Sequence, residues 1–434
     1  MAVLVSVGVT AGVLAAAIVP GSAGASAPRQ PFPKVDQPGV TDTEIDVGGV
    51  VSKTNPLGGD YASTFDGVKA YFNMVNASKA KGIYGRKLKL SSERDDQVGM
   101  NQQEAQALLS EDNVFAVLPV ATLVFTGAQT LAQSGVPTFG WNINAEWGSE
   151  QGAGAPNMFG EKGSFLCFTC SGSLVPLLAK TLHKKKVGVL AYQIAASSDC
   201  AKGLQASFDK YPSAKIEFID TSLSFGVTDL SNDVSQMKDK GVDFVTTCMD
   251  NNGVLTLAKE MKKQGLDAIQ YLPNAYNQKF ISENAPFFQG SYALTFFTPF
   301  EVKDKPKGLK EFQKWMKKGG FEPNENAMTG WINADLFYQG LKAAGPDFTR
   351  QKVVDAINQM TDYTASGLLG GIDWRTAHSE QAPNSCIVIS KIENGKFVPS
   401  FGAPGKPFAC YPEHPDKLPA KFVPASGLAG FSGQ

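Results

Sequence analysis

Between residues 42 and 140, continuous apolar runs alternate with amphipathic ones. "IDVGGVV" (45–51) has the length and continuity of a buried strand. "YASTFDGVKAYFNMVNA" follows, with Phe65, Val68, Phe72 and Val75 at helical spacing. "RKLKLSSERDD" alternates like a strand, and "NQQEAQALLSED" reads as a helix. "VFAVLP" is a strand, "FTGAQTLAQSG" a helix closed by glycine, and "VPTFGW" a strand. This β-α-β-α-β-α-β order predicts a parallel sheet covered by helices. The order then restarts. "KKVGVLAY", "AKIEFIDT", "VDFVTTC" and "AIQYLP" read as strands, separated by the helical "CAKGLQASFDKY", "LSNDVSQMKDKG" and "GVLTLAKEMKKQG". Two tandem α/β units are expected. Farther on, "GSYALTFFTPF" reads as a connecting strand, and "LKEFQKWMKKGG", "WINADLFYQGLKAAG" and "TRQKVVDAINQM" as helices. "GLLGGIDW" and "SCIVISKIENGKFVPS" read as a hairpin region with Asn394-Gly395 at the turn. The Pro- and Gly-rich tail from Phe401 is expected on the surface.

Composition narrows the function. The 434 residues are 43% hydrophobic, and 40 Lys+Arg against 41 Asp+Glu leave a net charge of −1. A strong basic excess, the footprint of nucleic-acid or membrane-surface binding, is absent. The first segment is apolar and then rich in small residues. It reads as a secretory signal peptide over 1–27, ending at Ala23-Gly24-Ala25 or Ala25-Ser26-Ala27, although no Lys or Arg precedes the apolar run. Residues 28–41 read as an extended arm. Six cysteines, Cys167, Cys170, Cys200, Cys248, Cys386 and Cys410, behind an export segment point to disulfides and leave their pairing open. A zinc site at "CFTC" is disfavoured: there is no second C-x-x-C and there are only three histidines, His183, His378 and His414, all in surface-like contexts.

No phosphate-binding, dinucleotide-binding, nucleophile-elbow, zinc-protease or calcium-loop motif occurs. Binding without turnover, with neither cofactor nor metal, is the expectation. In open parallel sheets ligands sit outside the carboxyl ends of the strands. The corresponding turns are residues 52–55 ending in Asn55, then Val120-Ala121-Thr122, Trp141-Asn142-Ile143-Asn144, residues 193–200, residues 249–252 with Asp250 and Asn251, and Asn274-Ala275-Tyr276. These are neutral, polar or aromatic, the profile of a small, partly apolar ligand held by a few polar anchors. Asp250, Asn251 and Asn252 in a row exceed what one helix cap requires.

Four stretches carry a resemblance: "DGVKAYFNMVNASKAKGIYGRKLKLSSERDD", "QALLSEDNVFAVLP", "AQSGVPTF" and "GVDFVTTCMDNNGVLTLAKEMKKQGL". In order and spacing the chain resembles the leucine/isoleucine/valine-binding-protein family, type I solute-binding components of ABC importers, over residues 42–400. The resemblance implies two doubly wound lobes joined by three crossovers near 157–165, 290–298 and 363–372. The N-lobe would be 42–160 with 296–365, the C-lobe 161–295 with 366–400, and the tail 401–434. It implies a cleft in which Ala121, Thr122, Asn142, Ile143 and Asn144 hold a carboxylate. The opposite turns would supply an aromatic wall and an acidic group. The implied fold suggests the bridges Cys200–Cys248, Cys386–Cys410 and Cys167–Cys170.

The sequence departs from that pattern at Asn274, where amino-acid binders carry a carboxylate, and at Asp199-Cys200, where an aromatic is common. Asp250 is left as the ammonium partner, and a buried ammonium without a carboxylate is costly. The expected function is therefore an exported, monomeric, non-enzymatic solute-binding protein. It would carry a small amino acid or related apolar carboxylate to the membrane permease of an ABC importer. The rival readings are uptake of an aromatic or other non-amino-acid carboxylate, and a ligand-sensing receptor module.

Overall fold

A computed structural model describes residues 1, 32–148, 155–379, 386–411 and 417–425. The signal-peptide reading over 1–27 lies outside the described residues, save Met1. The first sheet and its helices comprise β1 (Glu44–Val51), α1 (Ser63–Asn76), β2 (Lys87–Asp95), α2 (Asn101–Ser110), β3 (Ala116–Ala121), α3 (Ala128–Ser134), β4 (Thr138–Gly140) and β5 (Met158–Gly160). All five strands are parallel, in the order β2-β1-β3-β4-β5. The chain then builds a second layer system from α4 (Leu174–Thr181), β6 (Lys186–Tyr192), α5 (Ala195–Lys210), β7 (Lys215–Leu223), α6 (Ser231–Asp239), β8 (Phe244–Cys248), α7 (Asn251–Gln264), β9 (Ile269–Leu272), α8 (Gln278–Glu283), α9 (Ala285–Phe288) and β10 (Tyr292–Thr295). It returns to the first sheet with α10 (Lys307–Gly319), α11 (Glu325–Ala344) and α12 (Arg350–Ile357). It ends on the second with β11 (Cys386–Glu393), β12 (Lys396–Ser400), β13 (Ala409–Cys410) and β14 (Val423–Pro424). The result is an α/β fold of two parallel-sheet lobes, the chain crossing between them three times.

The second sheet runs β7-β6-β8-β9-β10 in parallel, then adds antiparallel β11 and β13 and edge strand β14. Strand burial explains the continuous apolar runs: β3 is buried at all six positions and β8 at all five, because helices cover both faces. The helices follow their apolar stripes. In α7, Val254, Leu257, Ala258 and Met261 face inward, and Gly265 ends the helix in the left-handed conformation (φ 67°). Helices α1 and α11 approach so closely that a Cβ on Gly67 would lie 1.8 Å from the Ala327 carbonyl oxygen. Within this pair Asp335 accepts from the hydroxyls of Tyr71 (2.7 Å) and Tyr363 (2.9 Å), tying the third crossover to the first lobe.

Three expectations are corrected. The tail from Phe401 is not only surface chain. Phe408, Cys410 and Phe422 are buried, and β13 and β14 extend the sheet beyond β11, covering an edge that would otherwise expose unpaired backbone. "GLLGGIDW" forms isolated bridges, Phe297 with Leu369 and Tyr363 with Ile372. The hairpin is β11–β12, with Asn394 (φ 52°) and Gly395 (φ 71°) in the turn. Helix α5 starts five residues before Cys200, since the Ser197 hydroxyl bonds the Tyr192 N–H and the Cys248 carbonyl and starts the helix at the strand end. Disulfides join Cys167 to Cys170, Cys200 to Cys248 and Cys386 to Cys410. Among the described residues no helix is long and apolar enough to cross a membrane.

Candidate functional site

Strand β8 ends at Cys248 and α7 begins at Asn251, so Asp250 sits at the turn with extended backbone (ψ 179°). Its carboxylate accepts from the N–H groups of Asn252 (3.1 Å) and Gly253 (3.2 Å) and from the Tyr192 hydroxyl. The three polar residues divide the work. Asp250 caps the helix. Asn252 donates from Nδ2 to the Leu57 carbonyl of the first lobe, and the Asn251 side-chain oxygen has no hydrogen-bond partner. Across from them, Trp141 follows β4 and packs on Tyr61 with ring centroids 5.3 Å apart.

Between these turns lies a cavity of about 720 Å³. Seven of the sequence-predicted residues line it: Trp141, Asn142, Ile143, Asp250, Asn251, Asn274 and Tyr276. Four do not, and their side chains hold the scaffold instead. Asn55 organises its own loop, donating to the carbonyls of Ser52 and Gly59 and accepting from the N–H groups of Leu57 and Gly59. Ala121 packs with Val51 and Phe65. Thr122 donates to buried Asp96, and Asn144 donates to the Leu123 carbonyl. The strand-end rule finds the turns, but within a turn the side chains alternate between core and cleft, and one sequence does not say which face is which. Asn142 is buried and donates to the Gly163 carbonyl, while its oxygen, like that of Asn251, lacks a partner. Orphaned buried acceptors in a cavity wall mark where polar atoms of a ligand go. Tyr276 is fully buried, its hydroxyl bonded to Glu301 (2.5 Å) and to the Phe300 N–H (2.6 Å). His378, expected at the surface, is half-buried against Phe159 and Trp374, and burial lowers its pKa to about 4. His183 is exposed, and His414 lies outside the described residues.

The polar pole of the cavity was not visible in the sequence. Lys162, in the first crossover, is the one basic residue among the described lining residues. Its Nζ lies 3.7 Å from Glu161 Oε1 and 3.8 Å from the ring centroid of Phe296 in the second crossover. Burial depresses the Lys162 ammonium, opposed by Glu161 and then Glu325. Burial raises the Glu161 carboxyl, opposed by Lys162. Glu325 stands at the start of α11 and lines the cavity. Burial first, then the Glu161 charge, push its carboxyl up to about 8. Its surroundings thus favour the neutral carboxyl over the carboxylate. Among the described residues no cluster suited to a metal ion occurs. Only spatial assembly brings together Tyr61, Lys162, Phe296 and Glu325, which come from four separate segments.

The comparisons agree on the architecture. A family described as periplasmic binding protein matches residues 44–396. No curated protein matches the chain in sequence. Among solved structures, a fatty acid ABC transporter substrate-binding protein from Thermomonospora curvata aligns at 18% identity and TM-score 0.68, covering 90% of this chain and 98% of its own. A solute-binding protein of an ABC transporter from R. palustris, in complex with benzoate, aligns at 15% identity and TM-score 0.63, covering 82% and 95%. A branched chain amino acid ABC transporter from Thermus thermophilus with bound valine aligns at 15% identity and TM-score 0.69, covering 82% and 95%. At these identities the likeness is one of fold.

Proposed function

Because the chain belongs to the periplasmic binding protein family, an extracytoplasmic family of binding proteins and not of enzymes, we propose that it is the solute-binding component of an ABC importer for a predominantly apolar carboxylate. In this reading residues 42–160 with 296–365 and residues 161–295 with 366–400 form lobes that hinge about the three crossovers, and the closed protein delivers its solute to a membrane permease.

The observation that carries the reading is the make-up of the cavity. An α-amino acid needs a carboxylate for its ammonium; of the lining aspartates, Asp250 already accepts three hydrogen bonds from its own lobe and Asp60 is exposed to solvent. Asn274, where such a carboxylate would be expected, is neutral and exposed. A solute carboxylate, by contrast, meets Lys162, the one basic lining residue, with Glu325 beside it held towards its neutral form. The remaining walls include Tyr61, Trp141, Ile143, Phe165 and Phe296, which would take an aliphatic or aromatic body by burial of apolar surface. The similar solute-binding proteins, a fatty acid transporter component and others bound to benzoate and valine, are compatible with such a range.

Isothermal titration with octanoate, benzoate and leucine tests this. Octanoate or benzoate is expected to bind at micromolar or tighter dissociation constants, with leucine at least about tenfold weaker, the scale of one unmatched polar group. Leucine binding as tightly as both acids would return the protein to the amino-acid carriers.

A further inference from the structure

The cavity does not stop at the cleft between the lobes. Its walls continue along the carboxyl-end edge of the second sheet, past Ile194 beyond β6, Cys248 of β8 and Leu294 of β10, to Cys386 and Ile387 of β11 and Tyr411 after β13. From β8 to β11 is three strand spacings, roughly 14 Å. This extension is apolar and belongs to one lobe. Leu294 is 5% exposed and Ile387 2%, yet both border the void.

All three disulfides frame the extension. Cys200 and Cys248 both line it. Cys386 lines it and is bridged to Cys410, next to Tyr411. The Cys167–Cys170 bridge brackets Phe168, another lining residue. The loop carrying Phe168 sits directly on α5, where a Cβ on Gly203 would fall 1.9 Å from the Phe168 carbonyl oxygen. Apolar voids cost stability, and ordinary cores relax to shrink them. The Cys200–Cys248 and Cys386–Cys410 bridges tie neighbouring elements of these walls together and resist their collapse. A chamber held open in this way is built for an occupant.

Resting on the reading above, we propose that this second-lobe chamber receives the extended aliphatic tail of a monocarboxylate whose head group lies at the hinge beside Lys162. The specificity of the protein is then for chain length. The inter-lobe cleft suffices for a short acid or a single ring, and the chamber rewards each further methylene until Ile387 and Tyr411 end it.

The test is a calorimetric titration of straight-chain saturated monocarboxylates from butyrate to tetradecanoate. It uses the wild-type chain, Leu294→Phe and Ile387→Phe, which narrow the chamber, and Leu294→Ala, which widens it. In the wild type, affinity should rise about fourfold per added methylene beyond hexanoate, the fold-change equivalent to about 0.8 kcal/mol per buried methylene, and then level off. The Phe variants should move the levelling point to shorter acids by two or more carbons while keeping hexanoate within about twofold, and the Ala variant should move it to longer acids. Wild-type affinity independent of length beyond hexanoate overturns the proposal, as do variants that weaken short and long acids equally. The wild-type and Leu294→Ala series decide the matter even if a Phe variant fails to fold. If no acid of any length binds, the carboxylate reading itself fails, a result distinct from length-independent binding.

Discussion

At Asp250 one carboxylate both ends the β8–α7 turn and faces the cleft, and its three hydrogen bonds are all internal to the second lobe. Asparagine caps helices nearly as well as aspartate, and alanine does not. Asp250→Asn should therefore leave the melting temperature and octanoate affinity nearly unchanged. Asp250→Ala should cost about 1 kcal/mol and a few degrees; a thermal melt with titration checks both. A loss of affinity beyond tenfold in the Asn variant would make Asp250 a ligand group. Lys162 is the opposite case, a residue whose packing alone would not explain a cation at the hinge. Replacing it alone would strand Glu161, so the informative variant is Glu161→Gln with Lys162→Met. It should weaken octanoate by about 10- to 100-fold, the scale of a charge-assisted hydrogen bond, and leave octanol nearly unaffected. Equal losses for acid and alcohol would show that the lysine only shapes the wall. At this scale the sequence was legible where chemistry was local, as in the Asp250 cap. It was illegible where the partner was distant: Thr122 looked like a ligand group because its partner Asp96 comes from another strand end.

The elements were readable because both periodicities are strong. Each buried strand is a continuous apolar run, and α1, α7 and α10 carry clear stripes. Helix α11 is harder, since thirteen of its residues are buried, including Thr329, Asn333 and Asp335, and its sequence shows no clean polar face. Its close contact with α1 gives a direct test. Gly67→Ala places a methyl carbon on the Ala327 carbonyl and must separate the two helices. The expected cost is about 1–3 kcal/mol, read by urea unfolding, with unchanged stability meaning the helices can part freely. The tail was misread for a related reason. Its Pro and Gly content hides two-residue strands, and only the unpaired edge of β11 gives them a partner.

For the molecule as a whole, the two-lobe plan was legible from the repeated β-α order, whereas the cavity floor was not, because it is assembled from crossovers without regular structure. Glu325, at the start of α11 in the cavity wall, makes the folded state sensitive to pH. Burial first, then the Glu161 charge, raise the Glu325 carboxyl from 4.5 to about 8. A carboxyl raised in the folded protein contributes its full stability below its ordinary pKa, and that stability is lost as pH rises through the raised value. The melting temperature should thus decline between about pH 5 and pH 8 more steeply in the wild type than in Glu325→Gln, and the difference should stop growing above about pH 8. Identical profiles would show that folding does not bury the Glu325 carboxyl. The most direct test of the central claim, that one continuous cavity takes an apolar carboxylate from the hinge into the second lobe, is a crystal structure grown with decanoate. The acid's carboxylate is expected within hydrogen-bond distance of Lys162 Nζ, with its tail running past Leu294 towards Ile387. A decanoate bound outside the cavity, or with its carboxylate turned away from Lys162 and its tail in solvent, would contradict it.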